Sequence, residues 1–321
     1  MDLQQLAGTL TNPTLLFFLL GVLARLVRSD LEIPSGSVKF ISLYLLFSIG
    51  FNGGQELAHS GLDAGIARCL ALGMALAAAI PLYTFFLLRG RLGVQNAAAV
   101  AAAYGSVSAV TFVAATGFLE AREIVFGGHM VATMALMESP AIIVGVILLL
   151  RFDREGGERA SLRDVLHHSL TNGSVLVLLG SLLIGAVADA KQAAGIRPFT
   201  TDIFKGFLAV FLLEMGMVTA ARISALRSYG IWPFVAALAL PLVNGCAAAY
   251  ASSWATSEVG DRFMFAVLAA SASYIAVPAA MRLAAPKADP GLYIPMALGL
   301  TFPLNITLGM PLYLALVRAS A

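Results

Sequence analysis

The feature that most restricts this chain is a succession of ten apolar stretches separated by short polar connections. They fall at about residues 13–28, 36–51, 67–88, 95–118, 130–150, 172–190, 203–220, 231–256, 262–284 and 291–317. A run of roughly 20 apolar residues crosses the hydrocarbon core of a bilayer as a helix. A segment in lipid must satisfy its own backbone polar groups, which leaves helices as the solution for such runs. Charged residues are 12% of the 321 and hydrophobic ones 59%, whereas soluble proteins carry about a quarter charged residues. The expected fold class is an all-α polytopic membrane protein with ten transmembrane helices.

Lys and Arg concentrate in the connections after odd-numbered spans: Arg25 and Arg28, Arg89 and Arg91, Arg151 to Arg163, Arg222 and Arg227, then Arg282 and Lys287. The bias of basic residues toward the cytoplasm puts those connections inside and both termini outside a multi-pass inner (cytoplasmic) membrane protein. A net charge of +2, with no basic tract carrying interleaved aromatics, argues against nucleic-acid binding. Cys69 and Cys246 lie far apart in apolar stretches and read as buried thiols rather than a bridge. The first basic residue, Arg25, follows the first apolar run, so no removable signal peptide is expected.

The two halves resemble each other. Leu10–Leu15 recurs as Leu170–Val175, Leu46–Gly50 as Leu212–Gly216, Gly93–Thr116 as Glu258–Met281, and Met137–Ala141 as Leu300–Leu304. Four matches in one order, with an odd number of spans per half, predict an inverted 5+5 repeat. Residues 1–155 form the first unit, 156–170 a charged cytoplasmic loop and 171–321 the second unit. Such repeats support alternating access, with the site near the midplane between broken helices.

Spans four and nine carry the breaks. Tyr104–Thr111 (YGSVSAVT) and Ser271–Pro278 (SASYIAVP) place hydroxyls, small residues and a proline at the middle of apolar segments. Non-helical backbone at that depth is tolerated only inside protein or beside a water-filled cavity. Half-helix N-termini pointing at the gap carry partial positive charge and free N–H groups, which suit a small anion. Hence Gly105, Ser106, Val107, Ser108, Ser271, Ala272, Ser273 and Tyr274 are the expected substrate-binding residues. The competing explanation, small residues for close helix packing, covers one such cluster better than two at equivalent positions. Thr111, Glu138, Ser108, Ser273 and Asn305 are the expected sodium ligands, offering hydroxyl, carboxylate and amide oxygens. Glu138 precedes Pro140, and an intramembrane carboxylate is usually functional; the alternative is a solvated residue near an interface. Thr307 shares the place of Asn305, and Glu214 reads more simply as a structural hydrogen-bonding group.

Asn52–Glu56 (NGGQE) reads as a turn at the outer end of span two, with a gate as the alternative. His167 and His168 lack Cys or acidic companions at metal-site spacing. Arg222 and Arg227 fit cytoplasmic anchoring. HExxH, GxSxG, P-loop and GxGxxG signatures are absent, so no enzyme is expected.

Taken together, Ser48–Gly54, Gly105–Ser108, Met137–Ala141, Met215–Met217 with Arg222–Ser224, and Ala269–Pro278 leading to Arg282 resemble the sodium-dependent bicarbonate transporter family known from cyanobacteria. The resemblance covers nearly the whole chain. It implies a ten-helix fold with spans four and nine crossing, sodium as coupling ion, bicarbonate as substrate and a homotrimer. It also implies a small soluble regulator at the cytoplasmic face, although the central loop is shorter here than in the cyanobacterial members. Those members have an acidic residue where this chain has Tyr274, and Ser-Gly where it has Ala276-Val277. The expected function is therefore a sodium-driven bicarbonate symporter. Its rivals are a proton-coupled or exchange carrier of another small carboxylate, and a non-transporting membrane sensor or regulatory subunit.

Overall fold

The structure is a computed structural model that describes residues 13–60, 64–153, 167, 171, 173–222, 226 and 229–320. The N-terminal leader, His168, Arg227 and nearly all of the charged central loop lie outside the described residues. Everything described is helix or connection, with no strand. In chain order the helices are α1 (Pro13–Leu26), α2 (Ser35–Ser60), α3 (Ala64–Leu92), α4 (Val94–Gly105), α5 (Ala109–Glu120) and α6 (His129–Phe152). There follow α7 (Gly173–Val187), α8 (Ala190–Arg197), α9 (Phe204–Arg222), α10 (Ile231–Ala251), α11 (Val259–Ala270) and α12 (Ala276–Ala284). The last is α13 (Pro290–Ala319).

Among the described residues, six segments are long and apolar enough to cross a membrane: Ala64–Leu92, Val94–Glu120, His129–Phe152, Lys191–Arg222, Ile231–Trp254 and Pro290–Ala319. Leu16–Leu26 and Gly173–Val187 are shorter apolar helices. Helix ends follow local chemistry. Gly93, at φ +77°, joins α3 to α4 through one residue in a conformation other L-residues rarely adopt. Asp189 caps α8 by accepting from the N–H groups of Lys191 and Gln192 (2.9 and 3.3 Å). Asp289 caps α13 through Gly291 N–H (2.7 Å), with Pro290 in the first turn.

One expectation is corrected. Asn52–Glu56 is not a turn: α2 continues through it to Ser60. The glycines of this stretch serve packing. A Cβ on Gly54 would run into the carbonyl of Leu182, and one on Gly185 into that of Phe51, so small residues let α2 and α7 touch backbone to backbone. The polar residues serve freed carbonyls. Asn52 Nδ2 donates to Thr200 O (3.2 Å) in a π turn at Pro198–Asp202, and Gln55 Nε2 to Ala188 O (3.1 Å) beyond the end of α7.

The closest packing pairs α1 with α9 and α2 with α7; α3 lies on α4 and α6, and α10 on α11 and α13. Large apolar side chains such as Leu20, Leu23, Leu176, Ile184, Trp232 and Val235 face outward, the pattern of helices solvated by lipid. In contrast, α4 from Ala97 to Gly105 and α11 from Gly260 to Ala270 are wholly buried. The alanine run Ala97–Ala103 lets neighbours approach α4 closely. These two helices form the centre of the molecule.

Candidate functional site

Both central helices stop halfway. After Gly105, Ser106 (φ −80°, ψ 176°) and Ser108 (φ −105°, ψ 110°) are extended, and the helix resumes as α5. After Ala270, Ser271 is extended (φ −81°, ψ 167°), and α12 starts only at Ala276. The two interruptions meet. Ser108 N–H donates to Ser271 Oγ (3.0 Å) and Ser273 N–H to Ala103 O (2.8 Å). Each break thus satisfies part of the other's backbone, as burial away from water requires. Ser108 also caps α5, its Oγ accepting from Thr111 N–H (3.1 Å), and Ser271 Oγ donates to Leu268 O (2.8 Å). Gly105 is dictated by contact: a Cβ there would enter the ring of Pro81 in α3.

Beside the crossing is a cavity of about 30 Å³, room for about two waters. Val107, Ser108 and Ala109 line it from one break and Ser273, Tyr274 and Ile275 from the other. Met134, Ala135 and Glu138 of α6 contribute, and Leu46 of α2 with Ser174, Val175 and Leu178 of α7 complete it. Glu138 is roughly 14 Å along its 24-residue helix, at 1.5 Å per residue, so it belongs to the helix interior and not to an end. Among the described residues it is the sole acid of the lining, and none of them there is Lys, Arg or His. The first turn of α5 leaves the N–H groups of Ala109 and Val110 without helical partners, and that of α12 leaves those of Ala276 and Val277. Pro278 has no N–H to add. Tyr274 reaches from the crossing to α9, its hydroxyl 4.0 Å from Met215 Sδ, a weak acceptor.

The expected site residues therefore divide. Val107, Ser108, Ser273, Tyr274 and Glu138 come together around the cavity. Gly105, Ser106, Ser271 and Ala272 build the crossing behind it, and Ser106 Oγ is buried without a hydrogen-bond partner among the described residues. Thr111 is buried in the first turn of α5, outside the lining. Asn305 is also outside it, donating from Nδ2 to Ala270 O (2.8 Å). Thr307 bonds within its own helix to Pro303 O (2.7 Å). Glu214 lines a separate polar groove of about 740 Å³ with Arg25, Lys39 and Arg222. Asn52 and Glu56 line a cavity of about 230 Å³ with Thr116, Glu120 and Thr200.

Three polar contacts escaped the sequence reading. Tyr104 OH lies 2.7 Å from Thr301 Oγ1. Asp261 accepts from Gly127 N–H (2.7 Å) and lies 3.2 Å from His129 Nε2, joining the starts of α6 and α11. An acid at the very edge of an apolar span was a usable signal for Asp261; a tyrosine closing an alanine run was not. Among the described residues no group of three or more His, Cys, Asp or Glu could hold a metal. A cation here would depend on hydroxyls, carbonyls and one carboxylate, ligands that suit a hard ion.

The fold and site define a helical membrane protein built around two interrupted helices that cross, with serine hydroxyls and the Glu138 carboxylate lining a cavity beside the crossing. The sequence profile of the Na+-dependent bicarbonate transporter superfamily matches residues 13–318, and the chain belongs to that family. No curated protein matches it significantly.

Proposed function

We propose that the protein is a secondary active transporter that takes up bicarbonate with sodium by alternating access, and that the crossing binds both ions. The supporting observation is the lining of the central cavity. Hydroxyls of Ser108 and Ser273, the Tyr274 phenol and two helix N-termini offer donors to an anion. The only full charge there is Glu138, which repels one. An anion can therefore occupy this cavity only when a cation or proton neutralises Glu138, which is the physical content of coupling.

The architecture supports the same proposal. In this proposal α4–α5 and α11–α12 each count as one broken span and α8 as an extension of α9, so that the described residues make up ten spans. Exchanging the halves converts the α1–α9 pair into α7–α2, and the contacts of α3 with α4 and α6 into those of α10 with α11 and α13. An inverted 5+5 repeat behaves this way. In this proposal α1, α2, α7 and α9 form a scaffold and the remaining helices a core carrying the crossing. Leu46, Ser174 and Leu178 wall the cavity from the scaffold, so sliding of the core would open it to one side or the other. An inner-membrane trimer with both termini outside completes the proposal.

The test is uptake of labelled bicarbonate into proteoliposomes under an imposed sodium gradient. Equal uptake with and without sodium rejects the coupling. Tyr274 favours a second reading, a proton-coupled carrier of another small carboxylate, because a phenol there removes space and supplies a neutral donor. A substrate panel driven by a proton gradient separates the two.

A further inference from the structure

The helix α13 is irregular. Two π-helical segments, Met296–Thr301 and Asn305–Gly309, flank a short α turn at Phe302–Leu304. A π turn accommodates an extra residue, loosens the carbonyl ladder and is frequent at functional positions. Here each segment presents one polar side chain to one of the broken helices. Thr301 Oγ1 donates its single proton to Ala237 O of α10 (2.8 Å). The Tyr104 hydroxyl, 2.7 Å away, must then be the donor to Thr301. Tyr104 is the penultimate residue of α4, directly before Gly105 and the first break.

Asn305 grips the other half. Its Nδ2 donates to Ala270 O, the last carbonyl of α11, which the second break deprives of its helical partner. Its Oδ1 lies 3.2 Å from Tyr313 OH, which is also 3.0 Å from Pro241 O of α10. Thr301 and Asn305 are 1% and 0% exposed, and neither lines the cavity. Finally, Thr219 of α9 donates to Leu298 O in the first π segment (2.9 Å). So α13 is bonded at once to both broken helices and to the α1–α2–α7–α9 group.

We propose that Thr301 and Asn305 are positioning residues: acting through Tyr104 and Ala270, they fix the register in which the interrupted helices cross, and so set the affinity of the crossing for its anion. This rests on the crossing being the anion site. Asn305 is then a structural grip on a freed carbonyl and not an ion ligand.

The test uses the full-length protein in proteoliposomes at saturating sodium, with labelled bicarbonate as the probe and detergent-solubilised thermal unfolding in parallel. Thr301→Val keeps shape and removes the hydroxyl. Loss of a buried interhelical hydrogen bond in a membrane protein should raise the bicarbonate KM by roughly three- to tenfold, with kcat and the unfolding midpoint little changed. Thr301→Ser should restore KM. Adding Tyr104→Phe to Thr301→Val should have little further effect, since both act on one bond. Asn305→Leu should raise KM in the same manner. Saturable wild-type uptake with an unmoved KM in Thr301→Val and Asn305→Leu overturns the positioning role alone. A Thr301→Ser variant as impaired as Thr301→Val, with a matching fall in unfolding midpoint, overturns it too, leaving only a packing role. Absence of saturable bicarbonate uptake by the wild type overturns the anion site itself and this proposal with it.

Discussion

Glu138→Gln removes the one full charge from the lining of the crossing cavity while preserving side-chain size. An anion in a cavity of about 30 Å³ sits on the order of 5 Å from that carboxylate. At an effective dielectric constant of about 20, like unit charges at that distance repel by roughly 3 kcal/mol. That is about a hundredfold in affinity. In the proposed coupling, sodium bound at Glu138 of the wild type would lift the repulsion, so bicarbonate affinity should rise by up to about a hundredfold between sodium-free and saturating conditions. In Glu138→Gln the repulsion is absent from the start. The sodium dependence of the bicarbonate KM should then largely vanish, and sodium-free binding should strengthen. The assay is initial labelled-bicarbonate uptake into proteoliposomes across a sodium series, with choline replacing sodium. A Glu138→Gln variant that keeps the full wild-type sodium dependence refutes the electrostatic reasoning.

Ser273→Ala should raise the bicarbonate KM by roughly ten- to a hundredfold, the range of one hydrogen bond to a charged group, measured in the same vesicles. Tyr274→Ala enlarges the cavity and should admit carboxylates bulkier than bicarbonate, such as butyrate, whereas Tyr274→Phe should leave the wild-type size selectivity in place; a competition panel reads both. Gly54→Ala forces α2 away from the Leu182 carbonyl and should destabilise the protein by roughly 1–3 kcal/mol, seen as a lower unfolding midpoint. Outside the spans, the hydrogen bond to Asp289 pushes the Tyr229 phenol up to about 12 from 10.0. A raised folded pKa gives stability that is complete below about pH 10 and lost as pH climbs toward 12. Tyr229→Phe should therefore flatten that alkaline loss in thermal unfolding.

The breaks were legible because lipid-depth helices rarely accept Ser-x-Ser, and the two occurrences sit at equivalent places in the halves. Glu138 was legible for a related reason, an acid deep in an apolar span. The path of α2 through Asn52–Glu56 was not, since glycine and amide residues mark a turn in water but a close helix contact in a membrane. The sequence also suggested Asn305 as an ion ligand. The structure gives its Nδ2 to Ala270 O, a demand created by a break thirty-five residues earlier, and no local pattern announces a partnership of that range. Tyr104 and Thr301, 197 positions apart, were hidden likewise.

In the proposed mechanism an anion binds where the two interrupted helices cross, together with a cation at Glu138. The decisive experiment is a map of the purified protein determined with sodium and bicarbonate. Anion density should lie within hydrogen-bonding distance of the Ser108 and Ser273 hydroxyls, and cation density against the Glu138 carboxylate. Bicarbonate bound elsewhere, with the crossing occupied by neither ion, would contradict it.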